Sequence, residues 1–249
     1  MSEGALFRYV LGLADDQLVL GHRLGEWVGK APMLEEELAL ANIALDLIGQ
    51  ARLLYQYAAE IEGAGRGEDD LAYRRDERAY LNLQLVEQPN GDFGQTIARQ
   101  LLYAGMTQAF WPALAGSADA RLAGVAAKAA KESAYHFRHA ALWTVRLGDG
   151  TAESRARMQT GVDALWEFTG ELFAPSDDEA DLAGVAVDRA ALKVGWDAAI
   201  DRVLAEATLA RPADDWMASG GRQGLHGEHL GHMLAEMQFL QRAYPGLAW

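Results

Sequence analysis

Proline is scarce in this chain, at 6 of 249 residues, and several stretches longer than twenty residues contain none. Proline removes a backbone donor and clashes with the preceding helical turn, so its absence leaves long helices free to form. Alanine and leucine are abundant, and Val-Ile-Thr clusters alternating with period two are hard to find. These features predict helix nearly throughout. Half of the residues are apolar, ample for a sizeable core and too many for a disordered chain.

The first helix is expected over 6–28, where Leu13, Leu20, Leu24 and Trp27 recur at helical spacing. Gly29-Lys30-Ala31-Pro32 ends it, and Pro32 suits the first turn of the next helix. That second helix is expected to reach Ile61, with Leu38, Ala41, Leu45, Ile48 and Leu53 turned inward. The acidic run Glu35-Glu36-Glu37 lies near its N-terminus, where the helix dipole favours anions. The Gly-rich, charged stretch 63–70 reads as a loop, 75–86 as a short helix, and Gln88-Pro89-Asn90-Gly91-Asp92 as a turn. Further helices are expected over 93–114, 119–147, 151–172, 188–209 (capped by Asp188) and 228–243, the last closed by Pro245-Gly246. No long linker or fixed-period repeat interrupts them, which predicts one all-α domain over 1–249. The four longest helices form two pairs with short loops, each an expected antiparallel hairpin, and a longer link joins the pairs. This is the layout of a ferritin-like bundle, here with additional C-terminal helices.

Lys and Arg number 22 against 36 Asp and Glu, a net charge of −14. Such a chain repels nucleic acid and anionic membrane surfaces. Cysteine is absent, which excludes disulfides, thiolate zinc sites and thiol nucleophiles. The start, Met1-Ser2-Glu3-Gly4, lacks the pattern of a signal peptide. No uninterrupted apolar run approaches the roughly 18 residues of a spanning helix. The expectation is a soluble, cytoplasmic protein.

A ferritin-like layout raises the question of di-iron chemistry. Its di-iron members take a Glu from each of two helices and a Glu-x-x-His pair from each of the other two. That spacing sets both ligands on one helix face, one turn apart. Here the residues three before His22, His136 and His139 are Val19, Ser133 and His136, none of them Glu. Near misses remain: His22 and Glu26 on the first helix, Asn42 and Asp46 on the second, and Gln100 beside Arg99 on the third long helix. The fourth long helix adds Glu132, His136 and His139, with Lys128 and Lys131 close by. A hairpin turning near residue 31 sets His22 opposite Asn42, and Asp15 or Asp16 opposite Asp46. As a metal site this layer has too few carboxylates, and its cations oppose a dication. As a polar network its members can satisfy one another inside the bundle. The structural reading is preferred, with no catalytic residue and no metal ligand. Its polar core comprises His22, Glu26, Asn42, Asp46, Gln100, Glu132 and His136. If the chain does carry iron, His22, Asp46, Glu132 and His136 are the candidate ligands.

Other features read as structural. His226, His229 and His232 fall three apart, yet His226 lies at or before the helix start. On a helix His226 and His232 would also stand about 120° apart. Gly220-Gly221-Arg222-Gln223-Gly224 lacks the Gly-x-Gly-x-x-Gly pattern and a preceding strand, so it reads as a turn rather than a phosphate cradle. No Gly-x-Ser-x-Gly elbow is present. Trp27, Trp111, Trp143, Trp166 and Trp196 read as core or interface residues. Arg74-Arg75-Asp76-Glu77-Arg78 reads as a solvated charge run.

Several segments carry a family resemblance. They include Gly21-His22-Arg23-Leu24-Gly25-Glu26 and Ala44-Leu45-Asp46-Leu47-Ile48-Gly49-Gln50-Ala51-Arg52. Val86-Glu87-Gln88-Pro89-Asn90-Gly91-Asp92-Phe93, Lys131-Glu132 with Tyr135-His136-Phe137-Arg138, and Glu228-His229-Leu230-Gly231 are others. Over nearly the whole chain the sequence resembles the PaaC family, the C-type subunits of the phenylacetyl-CoA epoxidase complex. The resemblance implies a ferritin-like fold and a place in a multicomponent oxygenase of phenylacetate degradation. That complex forms the ring-1,2-epoxide of phenylacetyl-CoA with O₂ and reducing equivalents from NADPH. The resemblance also implies that di-iron and substrate sit in a sister, A-type catalytic subunit, and that a reductase with flavin and an iron–sulfur centre supplies electrons. The C-type subunit, similar in fold but without the ligands, is then its non-catalytic structural partner in a heteromer and carries no cofactor. The first two helices, with Glu35, Glu36 and Glu37, are the expected interface. The competing readings are a di-iron carboxylate oxygenase with an irregular ligand set, an iron-storage protein and a coenzyme A carrier.

Overall fold

The computed structural model describes residues 3–247, and among these every regular element is a helix. The four long ones are α1 (Glu3–Gly25), α2 (Leu34–Glu62), α5 (Phe93–Leu114) and α6 (Ala120–Gly148). Between the pairs lie the short α3 (Glu68–Tyr73) and α4 (Gln84–Glu87). After α6 come α7 (Ala152–Trp166), α8 (Asp177–Ala180), α9 (Lys193–Glu206), α10 (Glu228–Met237) and α11 (Phe239–Ala243). The architecture is an all-α, ferritin-like bundle.

The α1–α2 pair is antiparallel: Asp15 meets Tyr55 while Gly21 meets Ala44 and Ile48. Gly21 is there for space, because a Cβ would lie 2.9 Å from Ile48 Cγ1 and 3.3 Å from the Ala44 carbonyl. Gly63, in the left-handed conformation at φ 64°, closes α2 by donating its N–H to the Ala59 carbonyl. Asp92 and Asp119 cap α5 and α6 by accepting backbone N–H groups of the first turn. Phe93 stacks edge-on against Trp143 where α5 meets α6.

The two helices of each pair are not equivalent. Both α1 and α5 are buried on nearly every side, α1 under α2, α4 and α8, and α5 under α6, α7 and α9. By contrast, α2 and α6 touch each other and keep one face in solvent. On α2 the buried side carries Leu40, Ile43, Leu47 and Leu54. Each contributes about 1.5–3 kcal/mol by leaving water.

Several expectations need correction. Leu38 and Leu45 point outward, and Ala41, Ile48 and Leu53 are only half-buried, so the inward stripe of α2 runs through its other apolar residues. The stretch 63–70 ends in the first turn of α3, and 75–86 is not one helix: a single turn at Glu77–Ala79 and the start of α4 are separated by non-helical backbone at 80–83. There the chain forgoes a helix because Arg75, Leu81 and Leu83 are committed to partners on α1. The helix expected over 151–172 stops at Trp166, and the one expected from Asp188 begins at Lys193 after a tight turn at Ala190–Leu192. The terminal helix divides at Gln238, whose side chain is buried against Arg75 and Tyr80. By length and composition α2 is apolar enough to cross a membrane, but 44% of its most apolar window is buried inside the protein.

Candidate functional site

The bundle interior holds two polar systems. The first is a ladder between α2 and α6. Asp46 Oδ2 lies 3.1 Å from His136 Nε2, Glu36 Oε2 lies 2.8 Å from His139 Nε2, and Gln50 Nε2 donates to Glu132 Oε2 at 2.8 Å. Burial pushes the His136 pKa down against the pull of Asp46, which favours the neutral ring. Tyr135 packs beside both imidazoles from the outer face of α6.

The second system surrounds the middle of α1, where Asp15 and Asp16 are fully buried in an apolar helix. Asp15 accepts from Arg75, from the Tyr55 hydroxyl at 2.5 Å and from the Leu81 N–H at 2.8 Å. Asp16 accepts from Arg222 at 2.6 Å and from the Leu83 N–H at 2.7 Å. Burial works to lower the pKa of Arg75 and Arg222, but Asp15 and Asp16 outweigh it and hold both well above the usual arginine value. Glu87, also fully buried, accepts from Asn82 and from the Gly227 N–H, and pairs with His226 at 2.8 Å. Glu171 accepts the N–H groups of Gly220 (3.1 Å), Gly221 (2.6 Å) and Gln84 (2.8 Å). The Gly-rich loop is therefore an anion-holding nest filled by the chain's own carboxylate. A Cβ on Gly221 would sit 2.2 Å from the Asn82 carbonyl, which is why glycine stands there.

The residues expected in one polar layer separate into different places. Asp46, Glu132 and His136 lie in the α2–α6 ladder. Asn42 is exposed on α2, away from any core layer. Glu26 is exposed too, and holds Arg23 at 2.9 Å and Asn90 at 2.9 Å. His22 is mostly buried against Tyr73, its Nε2 has no hydrogen-bond partner among the described residues, and burial lowers its pKa. The fallback ligands His22, Asp46, Glu132 and His136 do not converge. Indeed no three His, Asp or Glu side chains form a metal-holding group among the described residues.

Gln100 is buried with its Oε1 unpaired, as are Oε1 of Gln17 on α1 and Oε1 of Gln50 on α2. Three of the four core helices thus turn a neutral amide inward. Two irons need carboxylates to balance their charge, and amides supply none. The donor set does not fit a di-iron pair. Arg99 is fully buried and has no carboxylate partner among the described residues. It donates to the carbonyl oxygen of Gln88 and to Asn90 Oδ1, and burial, then the neighbouring Arg23, push its pKa down.

Of the expected interface acids, Glu35 is exposed and Glu37 half-buried, whereas Glu36 is turned inward to His139. His226, His229 and His232 are three separate residues: His226 belongs to Glu87, His229 offers its carbonyl to Arg23, and His232 is exposed. The charge run 74–78 is not wholly solvated, because Arg75 is the buried partner of Asp15. The sequence reading missed the pairing of Asp15, Asp16, Glu87 and Glu171. Two adjacent aspartates inside an apolar helix were the visible signal that buried cations must exist elsewhere.

These features define a class: a ferritin-like bundle whose interior carboxylates are bound to the chain's own cations, histidines and backbone N–H groups. A family model described as phenylacetic acid catabolic protein matches residues 1–249, and the chain belongs to that family. It is similar to the C-type subunit of the 1,2-phenylacetyl-CoA epoxidase of Escherichia coli (strain K12). The two are 51% identical over 248 residues, covering 98% of this chain and 99% of the relative.

Proposed function

We propose that this chain is a non-catalytic, structural subunit of a multicomponent 1,2-phenylacetyl-CoA epoxidase in phenylacetate degradation, working in the cytoplasm. Its partner is the di-iron, A-type catalytic subunit, and flavin and iron–sulfur groups belong to a separate reductase. The observation that carries this reading is the interior itself. A di-iron bundle needs convergent carboxylates; here the buried acids are engaged by the chain's own arginines, amides and backbone N–H groups, and no three His, Asp or Glu form a metal-holding group among the described residues. Similarity to a C-type epoxidase subunit over nearly the whole length supports the place in the complex. A catalytic bundle needs ligands held within about 0.5 Å, and a stiff neighbour of similar shape can supply that support.

A second reading rests on one contact. Asp46 and His136 are adjacent, and with Glu132 could begin an irregular iron site in this chain. Iron content after purification from iron-replete cells separates the two. The structural reading expects far less than one iron per chain. About two irons per chain, lost on Asp46→Ala or His136→Ala substitution, would overturn it.

A further inference from the structure

The short helix α3 packs against α2 and leaves a cleft between itself, α2 and α1. Small side chains leave the gap: alanine stands at 51 on α2 and at 72 on α3, and both line it. The cleft measures about 170 Å³. Its floor is apolar, made by Ala51, Ala72 and Leu18 of α1, all buried. Tyr55 and Tyr73 add two aromatic rings to its lining. A cavity of about 150 Å³ takes one benzene ring, so the cleft has room for a single ring.

The polar groups around it are unequal in charge. Arg52, Glu68 and Asp69 line the cleft, two acids against one cation. Arg52 Nε donates to Glu68 Oε1 at 2.9 Å. Glu68 Oε2, shut away from solvent, has no hydrogen-bond partner among the described residues. Asp69 forms no hydrogen bond or ion pair among the described residues. The neighbouring cations are engaged elsewhere: Arg74 holds Asp70 at 2.8 Å, and Arg75, 5.7 Å from the centre of the Tyr55 ring, holds Asp15. His22 stands edge-on to Tyr73, and burial lowers its pKa, which favours the neutral ring. The cleft is therefore left with an excess of negative charge and a shortage of donors.

From these observations we infer that the cleft between α1, α2 and α3 binds a small arylalkylamine, one aromatic ring joined by a short chain to an ammonium group. The ring packs on the two alanines beside Tyr55 and Tyr73, and the ammonium meets Asp69 and Glu68. Aromatic rings favour edge-on and offset contacts with one another. A cation gains from a tyrosine face, and a carboxylate short of a donor gains from one. The same acids repel an anion of the same shape. A shallow apolar floor with a few polar groups at one side is the usual build of a small-molecule site. The inference does not depend on the reading of the chain as an epoxidase subunit.

The probe is phenethylamine, titrated into the full chain by calorimetry, with 3-phenylpropanoate as the anion of matching length. Phenethylamine is expected to bind one to one with a Kd of about 1 mM or below, in keeping with its few heavy atoms. The anion is expected to bind at least about tenfold more weakly. Asp69→Asn, at an exposed position, should keep the fold and weaken the amine at least about fivefold. Ala72→Leu fills the cleft and should abolish binding, with circular dichroism confirming that its helices remain. No saturable binding of phenethylamine by the wild type up to about 20 mM would overturn the site. Equal affinity in Asp69→Asn, or tighter binding of the anion, would overturn the class of ligand. Unchanged affinity in folded Ala72→Leu would overturn the cleft as its location.

Discussion

Asp15 and Asp16 show how much of this interior depends on single charges. Each is buried in the middle of α1, and each is neutralised by an arginine far away in sequence, Arg75 at 60 residues and Arg222 at 206 residues. Removing one partner of such a pair leaves an unpaired buried charge, at a cost of about 3–5 kcal/mol. Glu87 and His226 make the same kind of pair with a titratable cation. Burial works to lower the His226 pKa, but the bond to Glu87 and then that to the Tyr80 carbonyl raise it above the ordinary histidine value. A raised folded-state pKa means that the stabilisation from protonated His226 is complete below the unfolded pKa. It is lost as pH climbs through the folded one. The stability gap between the wild type and His226→Gln should therefore be widest in mild acid and narrow as pH rises past neutrality. Urea unfolding across that range measures it, and a gap that widened with pH would refute the pairing. Only half of this was legible in the sequence: two aspartates in an apolar helix announced that partners were needed. Their identity was not legible, because no local pattern marks a residue 60 or 206 positions away.

At the level of elements, α2 shows why periodicity alone misplaces a core. The helix has two apolar stripes, one through Leu40, Ile43, Leu47 and Leu54 and one through Leu34, Leu38 and Leu45. Both have helical spacing, so the pattern predicts the helix correctly and leaves its orientation open. The long helices were readable because their apolar repeats and their Gly, Pro and Asp boundaries agree. The stretch 75–86 was not, since its backbone N–H groups at Leu81 and Leu83 serve Asp15 and Asp16 instead of a helical ladder. The Gly220–Gly221 loop was recognised as a turn, but its service to Glu171 was hidden. Gly221→Ala should force Asn82 or Glu171 aside and cost about 1–3 kcal/mol. Gly195→Ala, in α9 with nothing within 4 Å of its Cβ, should be neutral or stabilising by up to about 1 kcal/mol. Urea midpoints of the two variants test the contrast.

Across the whole molecule, the last thirty residues act on the first ninety. Arg222 reaches Asp16 and the Gly12 carbonyl, His226 reaches Glu87, and Gln238 and Arg242 reach the Arg75 carbonyl. A chain ending at Ser219 keeps all four long helices yet leaves Asp16 and Glu87 short of their cationic partners. It should lose cooperative unfolding and near-ultraviolet circular dichroism while retaining helix. A sharp, wild-type-like melt would show that the terminal segment is dispensable.

The same arrangement orders events in time. A ribosome delivers α1 first, Arg75 soon after and Arg222 nearly last, so Asp15 meets its cation early while Asp16 waits through most of synthesis. Long-range closure of this kind is slow, and it leaves apolar surface open while it is pending. A chain built this way closes its interior only once its last segment has been made.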